Sequence, residues 1–406
     1  MPNTLVPLPA PPPAGHIPEV CLVAGDAAAA TKLAPLAAAL RGRRAVRPLV
    51  LVCGVDAPAA TAVLSGFDLP TDVLVELTRD GQPITRTAAR LLTGLDHAFA
   101  ERPPDAVVVQ GDSATAFGAA MAAFWRRVPV VHLDAGIRSY DLTAPFPQEG
   151  HRRLIAQVSS LHLAATPDAT ANLAAEGHRG PKVVTVGSTA VDAGFAALDR
   201  FDRHRDDRVR MVTDAVVAGD ARLALVLLDG AAWTDPAAAS QLLHGLADLV
   251  LTCLDLEIVL PVARGPLRHR AYDMLGRLVR VTITDPLTAP ELVCLLSVAA
   301  AAVTDSATLA EQAPSFGVPT LVVGGEPGTW GEPRQPLHPW TAGPDRAVVS
   351  RIAEKLVLTR AARLTVPHPA NPFGDGCAAD RCERAIQWLL GLRDRPEEFS
   401  PASLTG

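Results

Sequence analysis

Between Ala106 and Arg152 the chain reads AVVVQGDSATAFGAAMAAFWRRVPVVHLDAGIRSYDLTAPFPQEGHR. Two short apolar runs, 107–109 and 128–133, each lead into an acid, Asp112 and Asp134. The alanine-rich stretch 114–127 between them has the length and composition of one helix. A strand, a helix and a second strand leave no length for another connection, so the two strands are expected to run parallel. Sheets of this kind bind ligands outside the carboxyl ends of their strands. Asp112 and Asp134 then share one rim. Gln148, Glu149, His151 and Arg152 follow on the next loop and helix start.

The same alternation runs in both directions. Strands are expected at 20–24, 48–53, 73–77, 161–164 and 183–186, with helices at 27–40, 57–67, 84–100, 149–157 and 168–176. Residues 190–222 read as helical and highly charged. Their DRFDRHRDDRVR run predicts a solvated face and a hinge region. A second alternation follows, with strands at 223–228, 257–262, 279–283, 300–304 and 320–323. Its helices are expected at 237–254, 268–275, 289–298 and 308–313, and two more at 347–358 and 378–392 close the chain. The predicted fold class is α/β, with two Rossmann-like doubly wound parallel-sheet domains facing an interdomain cleft. The expected divisions are a proline-rich disordered lead-in at 1–15, an N-terminal domain at 16–192 and a C-terminal domain at 193–365. A segment at 366–395 is expected to cross back to the first domain, followed by a tail at 396–406.

Composition limits the partners. At 406 residues the chain exceeds one ordinary core, and 49% hydrophobic residues with 4% aromatics suit an Ala/Val/Leu-built interior. A net charge of −6 argues against nucleic acid or an acidic membrane surface as partner. The six cysteines form no CxxC pair and lie mostly in apolar runs, which predicts buried free thiols in a reducing cytoplasm. No apolar run of membrane-spanning length is visible, and no basic leader precedes PLPAPPPAGHIPE. The scattered histidines lack ligand-like spacing, so no metal site is expected.

The pieces VVVQGDSATAFGAAMAAFWRRVPVVHLDAGIRS, PFPQEGHR, VGSTAVDA, TDSATLAEQAPSFGVPTLVV and NPFGDGCAADR occur in one order and spacing. Together they resemble the UDP-N-acetylglucosamine 2-epimerase family, which has the glycosyltransferase-B architecture. The resemblance implies interconversion of UDP-GlcNAc and UDP-ManNAc. A base removes the C2 proton while UDP leaves C1. The proton then returns to the other face and UDP re-adds. No metal or nicotinamide cofactor is implied. The implied partner is a UDP-sugar, UDP-GlcNAc foremost, and the implied assembly is a homodimer.

Carried over position by position, the resemblance places Asp112, Asp134 and Glu149 as catalytic acids. Lys32, His132, Arg138, Arg152, Ser306, Ala307, Thr308, Glu311 and Gln312 become substrate-binding residues. Without the resemblance, Asp112 also reads as a helix N-cap, Arg138 as an ion-pair partner of Asp134 or Glu149, and Glu149 as a first-turn helix acid. The chain departs from the family at several positions. Gln110 stands for the histidine of HGD, and Asp134 for the glutamate of HVEAGLR. Gln148 stands for the first of two glutamates, Ala27 for the arginine of GTRPEAIK and Gly230 for the histidine of GHRRE. An amide cannot take a proton as a carboxylate can. The sequence therefore leaves two alternatives to an active epimerase. One is a relative that binds a UDP-sugar or a protein partner without turnover. The other is a related nucleotide-sugar hydrolase or transferase.

Overall fold

The strands β1 (Glu19–Ala24) and β4 (Ala106–Gln110) are apolar on both faces and buried along almost their whole length. Such strands need helices on both sides, which puts them at the middle of a parallel sheet. The computed structural model describes residues 16–77, 83–228, 233, 235–324, 340–361 and 371–401. In it β1 and β4 are parallel neighbours, with Cys21 opposite Val107 and Val23 opposite Val109. The described residues form two units. Unit 1 holds those up to Ala196 and from Phe373 onward, and unit 2 those from Ala197 to Pro372. The sequence placed that division at 192/193.

In unit 1, β1 and β4 are joined by β2 (Arg47–Gly54), β3 (Val73–Glu76), β5 (Val130–Leu133), β6 (Leu161–Ala164) and β7 (Val183–Thr185). All pairings are parallel, in the order β3-β2-β1-β4-β5-β6-β7. The order reverses between β1 and β4, which opens a crevice at their carboxyl ends. Its helices are α1 (Ala27–Arg43), α2 (Ala57–Gly66), α3 (Ile84–Glu101), α4 (Ala114–Trp125), α5 (Gln148–Val158) and α6 (Pro167–Ala175). Side-chain caps fix where several begin. Asp26 accepts from Ala29 N, Ser113 from Ala116 N and Thr166 from Ala169 N. Alanines let α4 lie close to the sheet. At the turn after β1 the approach is closer still, because a Cβ on Gly25 would lie 2.6 Å from Thr115 Cβ.

Unit 2 repeats the pattern. Its strands are β8 (Arg222–Leu227), β9 (Leu256–Pro261), β10 (Val281–Thr284), β11 (Ala301–Thr304), β12 (Thr320–Val323) and β13 (Trp340–Ala342). They form a parallel sheet in the order β10-β9-β8-β11-β12-β13. Leu242, Leu246 and Leu249 of α9 (Pro236–Thr252) pack with Ile258, Leu260 and Val303 in its core. The helices α10 (Pro266–Leu275), α11 (Ala289–Val298), α12 (Ala307–Gln312) and α13 (Arg346–Ala361) complete the layers. A reciprocal cap between Thr288 and Glu291 starts α11.

Two elements differ from expectation. The helical stretch expected at 190–222 is broken into α7 (Thr189–Leu198) and α8 (Asp207–Ala218). The rings of Phe201 and buried His204 lie tilted against each other with centroids 4.8 Å apart, and Asp206 caps α8 through Arg208 N. A ring contact onto a buried histidine followed by an N-cap ends a helix, whatever the surrounding charge suggests. The strand β13 was not anticipated, because three residues carry no readable period. Among the described residues, no helix is long and apolar enough to cross a membrane. The six cysteines are free thiols, and Cys21, Cys53, Cys253 and Cys382 are buried.

The C-terminal helix α14 (Ala378–Leu389) belongs to unit 1. Asp192 accepts from Ala379 N at 2.8 Å and Ala378 N at 3.3 Å, holding its first turn. Burial raises the Asp192 carboxyl from 3.8 to about 6, outweighing those two hydrogen bonds. A carboxyl raised in the folded state makes folding bind a proton. Its favourable contribution is complete below the unfolded value and fades as pH rises through about 6. Asp192→Asn keeps an acceptor oxygen and removes the charge. Its stability relative to wild type should therefore improve by on the order of 2 kcal/mol between pH 4 and pH 7.5, read by urea denaturation at each pH. A difference that stays flat across that range refutes the assignment.

Candidate active site

Beyond the carboxyl ends of β1, β4 and β5 lie Asp26, Asp112 and Asp134. Asp26 is committed to capping α1. Burial first, and then repulsion from Asp56 and Asp112, raise its carboxyl above the ordinary range. Asp134 follows β5 directly and adopts φ +60, a left-handed conformation that Asp tolerates better than most residues. Two residues on, Gly136 has φ +92, and a Cβ there would sit 2.2 Å from Ala169 O. Only glycine lets this turn seat against the start of α6.

Asp134 is buried, and so is Lys32 on α1. Lys32 Nζ donates to Asp134 Oδ2 at 2.7 Å. Gln110 Nε2 donates to the same oxygen at 2.6 Å. Asp134 Oδ1 is buried with no hydrogen-bond partner. Withdrawing an ammonium and a carboxylate from water costs several kcal/mol per ion, and only close pairing offsets that. Asp134 thus has one oxygen that receives two donors and one that receives none.

Asp112 Oδ2 accepts from Arg152 Nε at 2.6 Å. The Asp112 side chain is 27% exposed and that of Arg152 11%, so the carboxylate keeps contact with solvent. Asp112 also lends its backbone carbonyl to His151 Nδ1 at 2.8 Å, and the His151 ring stacks on Phe117 at 4.8 Å. The N-cap of α4 is Ser113, so the capping alternative for Asp112 does not hold.

Three expected site residues serve the framework. Glu149 is fully buried and takes Ser139 N at 3.0 Å and Arg153 Nε at 2.9 Å, with Arg152 Nη1 at 3.6 Å. It ties the loop after β5 to the start of α5. The Arg138 side chain is wholly buried, and it donates Nε and Nη2 to the two oxygens of Glu176 at 2.8 and 2.7 Å. Its partner is therefore Glu176, and not Asp134 or Glu149. His132 donates Nε2–H to Gly111 O at 2.8 Å, because a carbonyl can only accept. Burial lowers the His132 ring to about 4, so it is neutral at pH 7. Gln148 opens α5, and its buried Oε1 has no hydrogen-bond partner.

In unit 2, Ser306 caps α12, Ala307 is exposed, Thr308 is half-buried, and Glu311 and Gln312 are buried. Trp233 Nε1 donates to Asp305 at 2.8 Å beside this turn. Gly230 and the stretch at 325–339, which carries Arg334, lie outside the described residues. Among the described residues no group of three or more His, Cys, Asp or Glu could hold a metal ion.

Two structural partners escaped the sequence. Gln110 is the last residue of β4, so the strand-end rule could have found it. Glu176 gave no signal, since it follows α6, 38 residues from Arg138.

A doubly wound sheet whose switch point is rimmed by carboxylates, a lysine and an arginine defines an α/β protein built to hold a charged small molecule. The chain belongs to the UDP-N-acetylglucosamine 2-epimerase family, whose model matches residues 38–387. A relative from Thermotoga maritima is 31% identical over 385 residues, spanning 94% of this chain and 99% of its own. The UDP-N-acetylglucosamine 2-epimerase of Escherichia coli K12 is 29% identical over 376 residues, 91% of this chain and 98% of its own. The co-structure of S. aureus MnaA with UDP is similar at 27% identity and a TM-score of 0.83. It spans 94% of this chain and 100% of its own.

Removing one partner of a buried charge pair strands the other. Glu176→Leu should cost roughly 3 kcal/mol of unfolding free energy by denaturant titration. Arg138→Met combined with Glu176→Leu should recover most of it. A double variant as unstable as the single would show that Arg138 is held by something other than this pair.

Proposed function

We propose that this chain epimerises a UDP-sugar at C2, with UDP-GlcNAc as substrate, by elimination and re-addition of UDP. The observation that carries this reading is the buried Asp134 carboxylate, whose Oδ2 is held by Lys32 and Gln110 while Oδ1 has no partner. A base for a C–H proton needs one unencumbered lone pair at a fixed place. Asp134 Oδ1 fits that requirement, whereas the amide of Gln148 cannot serve it. Asp112, anchored by Arg152 yet still touched by solvent, is the group proposed to handle the proton on the other face. Glu149, Arg138 and neutral His132 then act through the framework, keeping the two rim loops in place. The UDP moiety is assigned, by family likeness, to the segment Ser306, Ala307, Thr308, Glu311 and Gln312. Likeness to relatives named as UDP-N-acetylglucosamine 2-epimerases, one solved with UDP, supports this substrate class.

The test is incubation of the whole chain with UDP-GlcNAc in D₂O, followed by NMR. Deuterium should enter at C2 and UDP-ManNAc should accumulate. Asp134→Asn should slow exchange by about 10²–10⁴-fold while UDP binding, measured by calorimetry, stays within a fewfold. No deuterium at C2 with the wild-type protein would falsify the proposal.

A further inference from the structure

The register of the first sheet puts Gln110 opposite Leu133, so its side chain comes off β4 beside the residue that follows Leu133, Asp134. The amide reaches Asp134 Oδ2 at 2.6 Å, and the Lys32 ammonium reaches that same oxygen at 2.7 Å. A free carboxylate has two equivalent oxygens and turns readily about its Cβ–Cγ bond. Here two donors from two different elements, β4 and α1, converge on one oxygen. Rotation would break both bonds in a buried site, so the oxygens are no longer equivalent. Gln110 adds its hydrogen bond without adding charge, which leaves the Lys32–Asp134 pair balanced.

Two of the family motif positions that differ here, glutamine for histidine at 110 and aspartate for glutamate at 134, are thus in direct contact. A glutamate at 134 would carry its carboxylate one C–C bond farther, into an amide that already sits at 2.6 Å. We propose that Gln110 is the positioning residue for Asp134, that glutamine at 110 and aspartate at 134 work as one coupled pair, and that the pair leaves Asp134 Oδ1 as the single oxygen offered to the C2 proton. The inference rests on the epimerase reading above and adds to it the residue that orients the base.

Two measurements test it. The first is a cycle of Gln110→His, Asp134→Glu and their double variant, read as kcat and KM for C2 exchange. Each single variant should lower kcat by about 10–100-fold with KM changed less than threefold, and the double should lie well above the product of the two losses. Losses that simply multiply overturn the coupling. The second uses Gln110→Met, which keeps the bulk and removes the donor. It should lower kcat for C2 exchange by about 10-fold or more while KM stays within threefold. In an Asp134→Asn background the same substitution should cost almost nothing further, because the carboxylate it orients is gone. A Gln110→Met enzyme of unchanged kcat, or an equal further loss in the Asp134→Asn background, overturns the positioning role while leaving the epimerase reading intact. A wild-type protein that never exchanges C2 deuterium overturns the epimerase reading, and with it the catalytic use of the pair.

Discussion

An ammonium and a carboxylate held 2.7 Å apart out of water are the constraint on which the first unit's rim depends. Lys32 and Asp134 are 102 positions apart, so the pair closes a long loop between α1 and the end of β5. Neither charge is tolerable alone at such burial. The surrounding features then follow as conditions for the pair. Asp26 caps α1 and so fixes the turn from which Lys32 reaches in. Asp134 adopts a left-handed backbone, and Gly136 lets the turn close against α6. Gln110 supplies the remaining donor from the neighbouring strand.

A second layer of charge holds the loops around that centre. Glu149 and Glu176 collect Arg138, Arg153 and, at 3.6 Å, Arg152, and Arg152 passes one of its own donors to Asp112. The result is a connected set in which Arg138 and Arg152 reach carboxylates on other elements, Glu176 and Asp112, while Arg153 pairs with Glu149 within α5. Such a network is costly to break at one point, and it keeps a loop-borne acid at a repeatable place. The rim residues thus differ in how far they are engaged. Asp112 and Asp134 keep an oxygen or a face free, while Glu149 and Arg138 are fully engaged within the protein.

Most of the architecture was legible in the sequence because its signals are local. Apolar runs of four to six residues alternate with alanine-rich helical stretches, and Asp, Ser or Thr stands at most helix starts. The misses have physical causes. Residues 199–206 looked helical because their charges repeat, but the tilted contact of Phe201 on buried His204 and the Asp206 cap end the helix there. The site was legible at the level of position and not of pairing. Asp112 and Asp134 could be placed at strand ends. Whether Arg138 would meet Asp134, Glu149 or Glu176 depended on how α6 ends against the loop, which no spacing within the motif encodes.

Asp192 grips the first turn of α14 and joins the two ends of unit 1, which the chain leaves at Ala196 and rejoins at Phe373. Unit 2 is thus a continuous insertion within a discontinuous unit. The consequence is one of timing. Domains generally form in the order in which a ribosome emits them. Here the first sheet emerges early yet lacks α14 until all of unit 2 has been made. The later-made unit 2 has all of its described residues first. Until α14 arrives, the Asp192 carboxylate and the faces that α14 covers wait in contact with water, and that interval is when a nascent chain of this design is most open to chaperones and proteases.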